Sequence, residues 1–165
     1  MIEFVLNGRN TAFAGDPETT LLAFLRGEAG ITSVKDGCSG QAACGACMVE
    51  LDGKPVLSCV TKLARVAGAR VTTLEGFPER VREILGKAFV VSGAVQCGFC
   101  TPGMLTRAKI LLQENPDPDR ETVVKALRFN LCRCTGYHKI VEAILLAARV
   151  LREGGGITVP APGRV

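Results

Sequence analysis

Gln96-Cys97-Gly98-Phe99-Cys100-Thr101-Pro102-Gly103 sets two cysteines directly before a Thr-Pro pair, which reads as an N-cap followed by proline at the first helical position. The helix it opens runs through Met104, Leu105, Ala108, Leu111 and Leu112 and stops before Asn115-Pro116. Thiols placed there meet the end of a helix that favours negative charge. The same arrangement recurs in Asn130-Leu131-Cys132-Arg133-Cys134-Thr135-Gly136-Tyr137, which closes one helix and opens another. Around these two stretches the apolar residues keep a period near 3.6. Val81, Ile84, Leu85, Ala88 and Phe89 share one face, Asp119 caps a helix over Glu121 to Phe129, and Ile140, Val141, Ile144, Leu145 and Ala148 point inward along His138 to Leu151. The spacing predicts a four-helix bundle over residues 77–153.

Upstream of Gly76 to Pro78 the period drops to two, so residues 1–76 form a separate predicted unit of strands and turns. Ile2 to Leu6, Asn7-Gly8, and Asn10 to Ala14 read as a hairpin, because Asn-Gly tolerates the positive φ of a two-residue turn. Asp16-Pro17 reads as the start of a short helix through Leu21, Leu22, Phe24 and Leu25, ended by Gly27 and Gly30. A loop rich in Gly, Ser and Ala follows from Lys35 to Gly45. A second hairpin is expected from Cys47 to Leu51 and Pro55 to Cys59 across Asp52-Gly53, with one more strand at Val71 and Thr73. The fold class is therefore α+β. Beyond the last helix, residues 154–165, with Gly154-Gly155-Gly156, Pro160 and Pro162, carry no pattern and are read as a flexible tail.

Composition narrows the function classes. The chain has 165 residues, is 47% hydrophobic and 22% charged, and has a formal net charge of +4, which describes a globular protein. That charge is too mild and too scattered for a nucleic-acid partner, and one Tyr with no Trp leaves few stacking platforms. Ala88 to Thr106 is uncharged, but Gly93, Gly98, Gly103, Pro102 and Gln96 argue against a membrane span. Met1-Ile-Glu-Phe-Val lacks the features of a secretory signal, so a cytoplasmic location with reduced thiols is expected. The only His, His138, is read as the start of the last helix, because a Rieske centre needs two. No Gly-rich phosphate loop and no nucleophilic triad can be assembled.

The chemistry then rests on eight cysteines in two quartets. Cys38, Cys44, Cys47 and Cys59 follow C-x5-C-x2-C-x11-C, and Cys97, Cys100, Cys132 and Cys134 follow C-x2-C-x31-C-x-C. Three readings compete: disulfides, two structural zincs, or two iron–sulfur clusters. Disulfides would need an oxidising compartment, and zinc recruits its thiolates as close pairs, which the first quartet does not offer. Three close cysteines in a Gly/Ala loop with a distant fourth instead resemble the plant-type ferredoxin spacing. Gly37, Gly40, Gly45, Gly98 and Gly136 beside the ligands would let backbone N–H groups turn towards sulfur, which tunes a cluster's potential. Arg133, between two cysteines, could offset negative charge.

Gly37-Cys38 with Cys44-Gly45-Ala46-Cys47, Gln96 to Gly103, and Asn130 to Tyr137 together resemble the small iron–sulfur subunit of the molybdenum hydroxylases, the family of xanthine dehydrogenase, aldehyde oxidoreductase and carbon monoxide dehydrogenase. The resemblance covers residues 1–153. It implies a β-grasp ferredoxin-like domain and a helical-bundle domain, each holding one [2Fe-2S] cluster. It further implies that Gln96 and Cys134 contact the molybdopterin cofactor of a large partner subunit. The cluster on Cys38, Cys44, Cys47 and Cys59 would lie nearer FAD on a medium subunit, in a heterotrimer or its dimer. Electrons would pass from molybdenum through both clusters to the flavin. One departure is visible: the family usually has four residues between its first two cysteines, and Ser39 to Ala43 is five, read as an outward bulge. A zinc-structured binding module and a free-standing ferredoxin are the rival functions, and the substrate is not encoded in this chain.

Overall fold

The structure, a computed structural model, describes residues 1–160. The last five residues of the expected tail lie outside the described residues. In chain order the elements are β1 (Ile2–Leu6), β2 (Arg9–Phe13), α1 (Leu21–Gly27), β3 (Met48–Leu51), β4 (Lys54–Leu57), β5 (Arg70–Thr72), α2 (Glu79–Val91), α3 (Thr101–Glu114), α4 (Arg120–Ala126) and α5 (His138–Glu153). Short 3-10 turns stand at Leu63–Val66, Leu74–Gly76 and Leu127–Phe129.

Both hairpins turn on the expected pairs. Asn7-Gly8 and Asp52-Gly53 hold positive φ at both positions, the geometry that matches strand twist. The strands begin directly after each pair, so β2 starts at Arg9 and β4 at Lys54. The sheet order is β2-β1-β5-β3-β4, with β1 and β5 parallel and every other pair antiparallel. Helix α1 covers one face, and Phe24 meets Phe4 and Phe13 edge-on at 5.5 and 5.6 Å. Leu21, Leu25, Val49, Leu63, Val66 and Val71 complete this core. A sheet of this order holding one helix is a β-grasp.

The start of α1 corrects the sequence reading. Thr20, not Asp16, is the N-cap, its hydroxyl accepting from the Ala23 amide at 3.2 Å. Asp16 closes a local turn onto the Glu18 amide instead. The reason is tertiary: the Leu21 amide donates to the Thr61 carbonyl at 2.7 Å, and Thr20 bridges to Lys62, which fixes where the helix enters. A smaller shift occurs at α3. Cys100 already has helical backbone angles, so it occupies the N-cap and Thr101 becomes the first helical residue.

The helical half has its own core. Leu85, Ala88 and Phe89 of α2 pack with Met104 and Ala108 of α3, Val123 of α4, and Ile140, Ile144 and Ala147 of α5. Asp119 caps α4 as expected, accepting from the Thr122 amide at 2.7 Å, although that helix ends at Ala126 and tightens into the 3-10 turn. Gly154 closes α5 in the left-handed conformation that relieves a helix C-terminus. Helix α3 lies across β3 and joins the halves through a buried ion pair between Lys109 and Glu50, with the Lys109 ammonium also over the Phe77 ring. Among the described residues no helix is long and apolar enough to cross a membrane.

Candidate metal centres

The first quartet is gathered by the loop between α1 and β3. Cys44 and Cys47 stand just before β3, and Cys59 follows β4, so the second hairpin carries two of the four sulfurs to one place. All three are buried, and Cys38 is half-buried. Within this quartet the Cys44 thiol acts on the acidity of Cys38, and the Cys59 thiol on that of Cys47. Backbone N–H groups turn inward as well. The amides of Ala43, Cys44 and Gln41 favour the Cys38 thiolate, and those of Ala46 and Gly37 act the same way on Cys44. Between Cys38 and Cys44, Ser39, Gly40 and Ala42 have left-handed conformations.

The second quartet lies at the helix ends, as its sequence context suggested. Cys100 caps α3, and Cys97 sits on the preceding turn. Cys132 and Cys134 belong to the segment before α5. Cys134 Sγ lies 3.6 Å from Cys97 Sγ at the surface, and the half-buried Cys132 thiol acts on the acidity of Cys100. The Thr135 hydroxyl stands 3.0 Å from Cys132 Sγ.

The thiol acidities divide accordingly. Burial pushes Cys47 and Cys100 up to about 12. The Ala43 amide, the largest influence on Cys38, draws its thiol below the ordinary value. At Cys132 burial acts upward but is outweighed by the hydroxyl and amide of Thr135 and the amide of Cys134, and the thiol ends lowered. Each N–H or O–H aimed at sulfur stabilises the thiolate, the form that binds metal.

This donor set fits two-iron centres. A [2Fe-2S] core takes two terminal thiolates on each iron, four in all. Each quartet supplies four thiols from its own half of the chain.

Several residues near these sites were not singled out by the sequence reading. Asn130 is buried against Gly45, with its Nδ2 donating to the Gly45 carbonyl at 3.3 Å. The Tyr137 hydroxyl accepts from the Cys132 amide at 2.9 Å and donates to the Asn130 carbonyl at 3.0 Å. For Asn130 only its place beside the cysteine motif hinted at this, whereas Tyr137, the sole Tyr, is read from the sequence as packing within the chain or at a partner interface, and its hydroxyl bonds within the chain. The Glu50–Lys109 pair had one signal, a lysine on the apolar stripe of α3. His138 is exposed and pairs with Glu142 at 2.8 Å, away from any thiol contact. Gln96, Cys97, Arg133 and Cys134 share an exposed position around the outer pair, with Val95, Phe99 and Leu131 exposed nearby.

A β-grasp half and a helical half, each presenting four thiols, define a two-centre iron–sulfur protein. The comparisons agree in both parts. A family model described as a 2Fe-2S iron-sulfur cluster binding domain matches residues 4–65, and one described as a [2Fe-2S] binding domain matches residues 73–145. The nicotinate dehydrogenase small FeS subunit of Eubacterium barkeri is 45% identical over 88% of this chain and 93% of its own length. The solved quinoline 2-oxidoreductase of Pseudomonas putida 86 contains a chain with TM-score 0.84 and 39% identity, covering 93% of this chain and 96% of that one. The solved aldehyde oxidoreductase of Desulfovibrio gigas superposes with TM-score 0.88 at 43% identity over 98% of this chain, which spans 19% of that longer one. The chain belongs to the family of small iron–sulfur subunits and domains of the xanthine dehydrogenase-type molybdenum hydroxylases.

Proposed function

We propose that this chain conducts single electrons between a molybdopterin cofactor and FAD held by partner subunits, through one [2Fe-2S] centre on Cys38, Cys44, Cys47 and Cys59 and another on Cys97, Cys100, Cys132 and Cys134. The observation that carries the reading is the gathering of four cysteines in each half, Cys38, Cys44 and Cys47 before β3 with Cys59 after β4, and Cys97 and Cys100 before α3 with Cys134 Sγ 3.6 Å from Cys97 Sγ and Cys132 beside it in sequence. Each centre supplies one-electron redox chemistry. The chain's own contribution is to hold the thiolates, aim N–H groups at sulfur and keep water from the buried thiols. Residues 1–76 and 77–153 act as two units, one per centre.

The exposed patch of Gln96, Cys97, Arg133 and Cys134 is the face we assign to the large molybdopterin-binding subunit, with Gln96 and Cys134 touching the pterin. Supporting this, the outer thiol pair lies at the surface among exposed apolar side chains, the composition of a docking surface. The first centre then serves a medium FAD-binding subunit, in a cytoplasmic heterotrimer or its dimer. Anaerobic affinity purification from the native host tests the assignment. Recovery with equal amounts of molybdopterin- and FAD-carrying subunits is expected, and recovery of this chain alone as a competent carrier would contradict it.

A further inference from the structure

Asn130 is only 2% exposed, and its Oδ1 has no hydrogen-bond partner among the described residues. An unpaired buried acceptor costs stability, so other contacts must hold the side chain there. Its Nδ2 donates to the Gly45 carbonyl at 3.3 Å, and its own carbonyl accepts from the Tyr137 hydroxyl at 3.0 Å. The following amide, Leu131 N–H, donates to the Cys44 carbonyl at 2.8 Å. The Cys132 amide, one residue on, donates to the same Tyr137 hydroxyl. These bonds tie the Cys44-Gly45 turn of the first centre to the Asn130 to Cys132 segment of the second. The approach is tight. Gly45 has φ +68°, and a Cβ there would run into the Phe129 carbonyl. From the other side, a Cβ on Gly103 in the first turn of α3 would stand 2.5 Å from the Gly45 carbonyl oxygen.

We propose that Asn130 is a positioning residue for electron passage between the two centres. With Tyr137 it holds the Leu131 amide on the Cys44 carbonyl, leaving a bonded route between the Cys44 and Cys132 sulfurs that crosses a single hydrogen bond. The step is a one-electron exchange: the centre on the second quartet is oxidised by one electron, that on the first is reduced by one, and no covalent bond forms or breaks. The inference rests on the electron-transfer reading above. It also accounts for a buried amide whose oxygen is left unpaired, since alanine would lack the donor and aspartate would oppose two oxygens at Gly45.

The test uses the full chain, purified anaerobically with both centres loaded and reduced with dithionite. Low-temperature electron paramagnetic resonance reads the magnetic interaction between the centres, and pulse reduction reads how fast one electron equilibrates between them. Asn130→Ala is expected to weaken the interaction and slow equilibration severalfold, with iron content unchanged. Val90→Ala, which trims an exposed side chain on α2 away from both quartets, is expected to alter neither. Unchanged interaction and rate in a fully loaded Asn130→Ala protein would overturn the proposal. If that variant loads poorly, amide exchange at Leu131 in the metal-free chains decides: faster exchange than wild type supports the clamp, and equal protection overturns it. A wild-type protein without paramagnetic centres would instead overturn the electron-transfer reading itself.

Discussion

At the scale of single residues, the thiols differ in what they require of their surroundings. Cys47 and Cys59 are buried between the loop and the second hairpin, and Ser58 Oγ donates to the Cys47 carbonyl at 2.8 Å, so this pair is shaped by packing. Cys97 and Cys134 are exposed and depend on one another. Cys59→Ala should therefore remove the first centre alone, and iron analysis should fall from about four to about two per chain. Tyr137→Phe tests the hydroxyl that pairs two backbone groups beside Cys132. Leaving them without a partner should cost about 1–3 kcal/mol in denaturant unfolding, and an unchanged midpoint would show that the hydroxyl is not what holds the segment.

At the scale of elements, what was legible in the sequence is what repeats locally. The hairpin pairs Asn7-Gly8 and Asp52-Gly53, the Asp119 cap and the apolar stripes of α2, α3 and α5 each carry their own signal within a few residues. The cysteine motifs were legible for the same reason, since Cys38, Cys44 and Cys47 are close in sequence, as are Cys97 with Cys100 and Cys132 with Cys134, while the approach of Cys97 to Cys134 was not. What remained hidden depends on contact between distant segments. The start of α1 at Thr20 is decided by Thr61 and Lys62, and the burial of Asn130 is decided by Gly45. The Glu50–Lys109 pair between β3 and α3 is of this kind too. Glu50→Ala leaves an ammonium buried without its partner, and the expected cost is about 3–5 kcal/mol. The double substitution Glu50→Leu with Lys109→Met should recover most of it in the same unfolding assay.

At the scale of the whole molecule, two small cores meet where α3 lies across β3 and where the Cys44-Gly45 turn meets Asn130 and Leu131. Each half has about 75 residues, a size at which a hydrophobic core alone is marginal and metal ligation contributes to folding. The cluster-free chain should therefore melt below the loaded one in calorimetry, and coincident curves would count against this. Its stability should also depend on pH with a definite sign. Burial raises the Cys47 and Cys100 thiols from 9.0 to about 12, so between those values an unfolded chain releases protons that the folded one retains. Stability of the metal-free chain is fully present below pH 9 and falls as pH rises towards 12, while in the loaded protein, whose thiolates are bound to metal, this loss should disappear. Urea midpoints across that range check the slope.

Spectroscopy of the anaerobically purified, dithionite-reduced chain bears on all three scales at once. Two distinct paramagnetic signals of one spin each should appear, with about four iron and four acid-labile sulfides per chain, two of each for every quartet of thiolates. A colourless protein containing zinc, or a single signal with half that iron, would contradict the assignment of a two-iron centre to each half of the molecule.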